Sequence, residues 1–89
     1  MRPSERSLEF DPYGFEDFVW WIEKDRKTAL KIAKLIKATL KDPFGGIGKP
    51  EPLKHELTGA WSRRIDKEHR LVYQVLKDKI RILSCRYHY

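Results

Sequence analysis

The sequence predicts one domain of the α+β class, in which two helices pack on one face of a small antiparallel sheet. Two observations lead to this prediction. Apolar residues recur at helical spacing between residues 12 and 41, and beyond residue 60 short strand-like runs are separated by turns. No repeat or internal linker divides the chain, so residues 1–89 form one predicted domain, with residues 1–7 as a flexible lead-in.

Two adjacent helices are predicted in the first half of the chain. Asp11 followed by Pro12 is typical of a helix N-cap and a first helical residue, and apolar spacing then continues over residues 12–24. Asp25 can cap a second helix over residues 26–41, where the apolar residues again repeat at helical spacing. The two segments are therefore predicted to form a helical hairpin.

A stiff loop is predicted after the helices. Pro43 ends the second helix, because proline has no amide hydrogen and restricts the residue before it. Three glycines within residues 45–48 open the loop, and Pro50 and Pro52 then hold it extended. Glu51 stands between these two prolines, so the loop presents one carboxylate on a rigid backbone.

Four segments have the composition and the turn-bounded length of strands: residues 7–10, 61–65, 70–76 and 79–87. The last three are consecutive and joined by short turns, so they form an antiparallel meander, with the twist that sheets adopt. Alternation places Arg70 on the open face of this sheet and Leu71 and Tyr73 on the face that meets the helices. In the last strand neither face is cleanly apolar, so either a bulge or burial on both sides is required, and the pattern leaves both open.

The composition favours a polyanionic partner and a reducing compartment. Lys and Arg number 19 against 13 Asp and Glu, and this net charge of +6 suits nucleic acid, a ribosome or an acidic protein. The lysines of the second helix could bind phosphates, although a solvated face is the simpler interpretation. The single cysteine, Cys85, excludes an internal disulfide and is expected to be a small core residue.

No feature of the sequence predicts a membrane or metal interaction. The longest apolar run, residues 18–22, is far shorter than the ~18 residues of a membrane span, and the polar opening lacks the apolar core of a signal peptide. The three histidines are widely separated and occur in no metal-binding motif. We therefore expect a soluble, cytoplasmic protein without a metal or another cofactor.

The residues that could carry chemistry are a carboxylate, strand arginines and a terminal imidazole and phenol. They are Glu51, Arg63, Arg64, Arg70, His88 and Tyr89. Each has a simple structural explanation alone, but together they suit metal-independent RNA cleavage, in which a base activates the 2′-hydroxyl, arginine steadies the phosphate and an acid protonates the leaving oxygen. On a regular strand the last two residues point to opposite faces, so both can serve one site only if the strand ends near Tyr87.

Two stretches of the sequence resemble one known family. GKPEPLKHELTGAWSRRIDKEHRLVY, residues 48–73, and the closing CRYHY are similar to the YoeB (Txe) toxins of the RelE superfamily. The resemblance extends from about Leu8 to Tyr89 and differs mainly in a longer N-terminal lead-in. It implies a RelE-like fold, which agrees with the layout predicted from periodicity.

The resemblance also implies a role for each member of the site. The family's general base matches Glu51, its phosphate-stabilising arginine matches Arg70 and its general acid matches His88, with Tyr89 closing the set. Cations that contact RNA or phosphate in the family match Lys54 and Arg64. Lys49 and Arg63 are also expected to bind RNA or phosphate.

The activity that the resemblance implies is that of a toxin from a type II toxin-antitoxin system. Such a toxin is a ribosome-dependent endoribonuclease that cleaves translated messenger RNA in the A site. Its implied partners are the ribosome, its message and a YefM-type antitoxin with an acidic C-terminal segment; operator DNA bound by the toxin-antitoxin complex and a homodimer are further expectations. Two alternatives are a basic module that binds RNA or the ribosome without cutting, and an antitoxin-bound transcription co-regulator.

Overall fold

The computed structural model describes residues 6–54 and 59–87, which form two helices and a five-stranded mixed sheet. The elements in chain order are β1 (Ser7–Phe10), α1 (Pro12–Lys24), α2 (Arg26–Lys41), β2 (Glu51–Pro52), β3 (Ala60–Arg64), β4 (Arg70–Val75) and β5 (Lys79–Ser84). The strands lie in the order β1-β5-β4-β3-β2. The predicted α+β class is confirmed, and within the described ranges neither helix has the length and apolarity that a membrane span requires.

Both predicted helices are confirmed, with the predicted boundaries. The Asp11 carboxylate accepts a hydrogen bond from Tyr13 N at 3.1 Å, and Asp25 accepts bonds from Thr28 N at 3.2 Å and Thr28 Oγ1 at 2.7 Å. The bonds from Thr28 lower the pKa of Asp25, because they stabilise its ionised form. Each helix therefore begins where its aspartate satisfies amide groups that have no partner inside the helix.

The sheet differs from the prediction in being mixed, because β1 runs parallel to β5 while the other neighbouring strands are antiparallel. The two helices form the long connection that a parallel arrangement needs. Glu9 stabilises the pairing, since its carboxylate lies 3.2 Å from Lys79 Nζ and 3.4 Å from an Arg81 amino group. Residues 1–5 of the predicted lead-in lie outside the described residues, whereas Arg6 donates to the Leu76 carbonyl at 2.8 Å.

The helices cover one face of the sheet and form the hydrophobic core with it. Buried side chains of the helices and the strands make up this core, together with one cysteine: Trp21, Ala29, Ile32, Leu35, Ile36, Ile65, Leu71, Tyr73, Ile80, Ile82 and Cys85. Leu71 and Tyr73 face the helices as predicted, and Cys85 is fully buried, which confirms its expected place in the core.

A bulge in β5 explains why that strand has no cleanly apolar face. Val72 pairs with Ser84 and Tyr73 pairs with Ile82, so Leu83 is an extra residue without a partner in β4. An extra residue reverses the alternation of side chains, which allows Ile82 before the bulge and Cys85 after it to enter the same core. Of the two alternatives that the sequence left open, the structure contains the bulge.

Candidate active site

The sheet brings Glu51 and Arg70 together on the face opposite the helices. One Arg70 amino group lies 3.2 Å from Glu51 Oε1 and donates to Ser62 Oγ, also at 3.2 Å. The Arg70 side chain is 26% exposed and that of Glu51 is 59% exposed, so this ion pair is open to solvent. The arrangement offers a carboxylate base and a cation next to each other where a substrate can reach both.

Glu51 is positioned by a short edge strand rather than by the loop alone. In β2, Glu51 pairs with Ser62 and Pro52 pairs with Trp61. Proline lacks an amide hydrogen and is tolerated at an edge, where no neighbouring strand requires that donor. The register with β3 therefore sets the Glu51 side chain beside Ser62, which is the residue that also accepts a hydrogen bond from Arg70.

The segment after β5 is fastened to helix α1 through the backbone of Cys85. The Trp21 indole donates to the Cys85 carbonyl at 2.7 Å, and the Cys85 amide donates to the Asp17 carboxylate at 3.0 Å. The last strand ends at Ser84, so its predicted extension to residue 87 is wrong. These side chains of α1 take the place of strand pairing for the residue that follows the sheet.

Tyr87, the last described residue, is held on both sides of its Cα by His69 and Arg70, the residue before β4 and the first residue of β4. Its amide donates to His69 Nδ1 at 2.6 Å, and its carbonyl accepts from the Arg70 amide at 2.8 Å. Its φ of 59° lies in the left-handed region, which is uncommon for a tyrosine. The described part of the chain therefore ends next to Arg70. His88 and Tyr89, the predicted acid and terminal phenol, lie outside the described residues.

Arg63 does not occupy the surface that was predicted for it. It is fully buried, and its guanidinium donates to the carbonyls of Asp42, Gly45 and Ile47 at 2.6, 2.9 and 2.7 Å and to the Tyr73 hydroxyl at 3.1 Å. Neighbouring strand residues point to opposite faces, so Arg63 enters the core side when its neighbour faces outward. The expectation that Arg63 contacts RNA or phosphate is wrong, since its donors hold the loop after α2.

The other predicted cations lie at the surface around the ion pair. Lys49, Lys54 and Arg64 are all exposed. Arg64 is the cross-strand partner of Arg70, and Lys49, with a φ of 50°, precedes Glu51 by two residues. These cations are accessible to an anionic ligand, although the structure gives them no contact with the Glu51 carboxylate.

His69 belongs to this region and had no predicted role. Its ring packs edge-on against Trp21 at 4.8 Å between centroids and lies 5.1 Å from the Tyr87 ring. The His69 ring accepts its hydrogen bond from the backbone amide of Tyr87, and no side-chain pattern in the sequence predicts such a bond. Its position directly before Arg70 was the one available signal. Within residues 6–54 and 59–87, no three His, Cys, Asp or Glu side chains come together in a way that could hold a metal ion.

Known proteins resemble this chain along most of its length. A family model described as the YoeB-like toxin of bacterial type II toxin-antitoxin systems matches residues 10–89. The toxin RelK of Mycobacterium tuberculosis is 58% identical over 84 residues, which cover 94% of this chain and 99% of the relative. The toxin YoeB of Escherichia coli K12 is 56% identical over 76 residues, which cover 85% of this chain and 90% of the relative.

Two solved structures from Staphylococcus aureus share the fold. A YoeB dimer superposes with a TM-score of 0.88 at 46% identity, covering 96% of this chain and 99% of that chain. The toxin-like chain of a YoeB-YefM complex superposes with a TM-score of 0.85 at 46% identity, covering 94% and 98%. Similarity in sequence and in backbone therefore includes both helices and the sheet.

Proposed function

The chain belongs to the YoeB-like toxin family of bacterial type II toxin-antitoxin systems, and from this premise we propose that it is a ribosome-dependent endoribonuclease that cleaves translated messenger RNA in the A site. The observation that carries the proposal is the solvent-open pair of Glu51 and Arg70, whose charged groups lie 3.2 Å apart. Tyr87 lies next to Arg70, because its carbonyl accepts a hydrogen bond from the Arg70 amide.

In the proposed reaction the RNA supplies its own nucleophile. Glu51 takes the proton from a 2′-hydroxyl, and the oxygen attacks the adjacent phosphorus. Arg70 stabilises the negative charge that develops on the phosphate oxygens. The bond from phosphorus to the 5′-oxygen then breaks, and His88 gives that oxygen a proton. The products are a 2′,3′-cyclic phosphate and a free 5′-hydroxyl, and acid and base catalysis each contribute about 10² to 10⁴-fold.

The ion pair leaves part of Arg70 available to bind an anion. Arg70 has five N–H donors, and the contacts with Glu51 and Ser62 come from one amino group. The remaining donors can bind phosphate oxygens in the planar geometry that arginine favours. A bound phosphate then competes with the Glu51 carboxylate for Arg70, which leaves Glu51 available to accept a proton.

The proposed partners follow from relatives with similar folds. The S. aureus relative forms a complex with YefM, and we propose that a YefM-type antitoxin neutralises this chain by covering the Glu51 and Arg70 face with an acidic segment. The YoeB dimer of the same organism supports a homodimer. Ribosomes and messenger RNA are the proposed targets in the cytoplasm, and the toxin-antitoxin complex is the form proposed to bind operator DNA.

The test uses purified toxin, translating ribosomes and a defined message. Glu51→Gln, Arg70→Gln and His88→Gln are each compared with Glu23→Gln and Arg26→Gln, which alter the same residue types on exposed parts of the helices. The three site variants are expected to fold and to lose about 10² to 10⁴-fold in cleavage rate, whereas the two helix variants keep it. Full activity in all three folded site variants would falsify the proposal.

End-group analysis of the same reactions separates the mechanisms. A 2′,3′-cyclic phosphate or its 3′-phosphate product is expected, because the 2′-oxygen is the nucleophile. A 3′-hydroxyl with a 5′-phosphate would show that water attacks instead and would overturn the assigned roles. Binding to RNA or ribosomes without any strand scission would favour the non-catalytic basic module, since such binding depends on cations and not on Glu51.

A further inference from the structure

A basic groove lies beside the proposed active site, between helix α2, the loop before β2 and the turn after β3. Its volume is about 730 Å³. Its lining includes five cationic residues and one acidic residue: Lys31, Lys34, Lys49, Arg64, Lys67 and Asp66. Such a concentration of one charge sign around a concave surface attracts a polyanion, because a bound anion relieves the mutual repulsion of the cations.

The single carboxylate of the groove is occupied by the protein's own backbone. Asp66 Oδ1 accepts hydrogen bonds from the amides of Glu68 at 2.8 Å and His69 at 2.7 Å. In the described part of the chain, the carboxylates that make ion pairs are Glu9, Glu51 and Glu68, and none of their partners is a groove cation. The positive charge of the groove is therefore directed mainly to solvent.

The groove adjoins the surface of Glu51 and Arg70 at two of its lining residues, Arg64 and Lys49. Arg64 lines the groove and is also the cross-strand partner of Arg70, and residues directly opposite each other on antiparallel strands point to the same face. Lys49 lines the groove and lies two residues before Glu51. Helix α2 packs on the other face of the sheet, so a ligand that extends from Arg70 in this direction passes Arg64 and Lys49 at the edge of the sheet before it reaches the lysines of α2.

We propose that this groove binds the sugar-phosphate backbone of single-stranded RNA on one side of the scissile phosphate. The inference rests on the proposed function, because it takes Arg70 as the contact of the scissile phosphate. Lysine ammonium groups bind phosphates as point charges and arginine binds them through its planar fork. The apolar floor, which includes Leu35 and Ile65, provides a surface for ribose carbons.

RNA fits this surface better than an acidic peptide does. An RNA strand carries a phosphate at every nucleotide, so a strand that is anchored at Arg70 presents further phosphates to the next cations along the groove. A peptide has carboxylates only where its sequence supplies them. The lysines that extend the groove beyond Arg64, namely Lys31, Lys34 and Lys67, are therefore assigned to RNA binding.

The test measures binding of a short RNA that cannot be cut, because every 2′-hydroxyl is methylated. Fluorescence anisotropy compares a groove variant with a control variant of equal net charge. The groove variant is Lys31→Gln, Lys34→Gln and Lys67→Gln, and the control is Lys24→Gln, Lys37→Gln and Lys77→Gln, three exposed lysines elsewhere. The groove variant is expected to bind at least about tenfold more weakly. The slope of log affinity against log salt concentration should become shallower by about two, because each lost phosphate contact to a single strand removes ~0.7 from the slope.

The control variant is expected to change affinity by less than about threefold, because it alters only the overall charge. Lys31 also donates to the Ile65 carbonyl, so a Lys34→Gln and Lys67→Gln variant repeats the test without that contact. Equal losses in groove and control variants overturn the proposal. Retained RNA binding with lost affinity for an acidic antitoxin peptide also overturns it, and assigns the groove to a protein partner.

This experiment is independent of the catalytic roles proposed above, because the RNA in it is never cleaved. If Glu51→Gln keeps full cleavage activity, the proposed mechanism fails while the anisotropy result still decides the groove. Kinetics on ribosome-bound message give a second readout. The groove variant is expected to raise KM by about tenfold with kcat retained, since it removes binding that substrate and transition state share.

Discussion

The backbone amide of Tyr87 donates a hydrogen bond to Nδ1 of His69 at 2.6 Å, and this bond holds Tyr87 next to the start of β4. The Arg70 amide binds the Tyr87 carbonyl at 2.8 Å, so both peptide groups of Tyr87 are held by adjacent residues of the chain. A left-handed tyrosine costs about 1–2 kcal/mol, which these bonds offset. The His69 ring is itself packed against Trp21, so the anchor is rigid.

Replacing His69 tests whether this bond positions the end of the chain for cleavage. In His69→Asn the Oδ1 atom is as many bonds from Cα as Nδ1 and can accept from Tyr87, whereas in His69→Leu no acceptor remains. We expect the leucine variant to cleave ribosome-bound message about 10²-fold more slowly, because small displacements of catalytic groups carry such costs. We expect the asparagine variant to stay within a few-fold of the unsubstituted protein.

Hydrogen exchange provides the structural readout for the same pair. The Tyr87 amide is expected to exchange faster in His69→Leu than in His69→Asn, while amides in the middle of β4 keep their protection in both. Equal cleavage rates in the two variants would show that the bond does not position the catalytic end. Loss of protection throughout β4 would assign His69 to general stability instead.

The adjacent arginines of β3 are expected to respond in opposite ways to substitution. Arg63→Met leaves three carbonyls and the Tyr73 hydroxyl without their buried donor, so the free energy of unfolding should fall by about 3 kcal/mol. Arg64→Met removes an exposed guanidinium and should change stability by less than about 0.5 kcal/mol while weakening RNA binding. Urea unfolding measures the change in stability, and anisotropy with the methylated RNA measures the change in RNA binding. Equal destabilisation by the two substitutions would contradict the assignment.

Much of the fold could be predicted because the decisive signals are local. Each helix begins at an aspartate whose carboxylate binds nearby amides, and such caps are visible in the sequence around Asp11 and Asp25. The direction of β1 could not be predicted, because alternation assigns a strand to a face but not to a neighbour. The bulge at Leu83 was recognised only as one of two ways to bury both ends of β5.

The site was predictable as far as its chemistry resides in side chains. Glu51 and Arg70 were assigned from a motif, and the pairing of β2 with β3 brings them together. Arg63 was misassigned because composition does not tell which of two adjacent arginines faces the core. His69 was missed because its bond is to the backbone of Tyr87, a group that every residue other than proline carries.

Gly48 and Gly59 allow backbone strain to be separated from steric overlap. Both have a φ of +84°, so replacement by alanine forces a left-handed conformation at either position and costs about 1 kcal/mol. A Cβ at Gly48 would lie 2.9 Å from Leu35 Cδ2 and 3.0 Å from Arg63 Cβ, whereas a Cβ at Gly59 meets nothing within 4 Å. We expect Gly48→Ala to cost about 1–3 kcal/mol more than Gly59→Ala in chemical unfolding. Equal costs would show that the loop before β2 adjusts without strain.

Cys85 is expected to make the free energy of unfolding fall as the pH becomes alkaline. Burial raises the pKa of its thiol from 9.0 to about 12, and the Asp17 carboxylate adds to the rise while Arg86 opposes it. As pH increases above 9.0 the unfolded chain loses this proton and the folded chain keeps it, so the free energy of unfolding falls. The pKa of Tyr73 is also raised, chiefly by burial, so this residue contributes with the same sign at higher pH.

Cys85→Ala separates the thiol from the other alkaline effects. Because the substitution also removes core packing, the slopes of unfolding free energy against pH are compared rather than the absolute values. From about pH 8 to about pH 10.5, the unsubstituted protein should lose about 2 kcal/mol more than the alanine variant in urea unfolding under reducing conditions. Tyr73 is present in both proteins and cancels in the comparison. Parallel curves would mean that the folded thiol ionises as readily as the unfolded one, and therefore that the segment after β5 opens to solvent in this pH range.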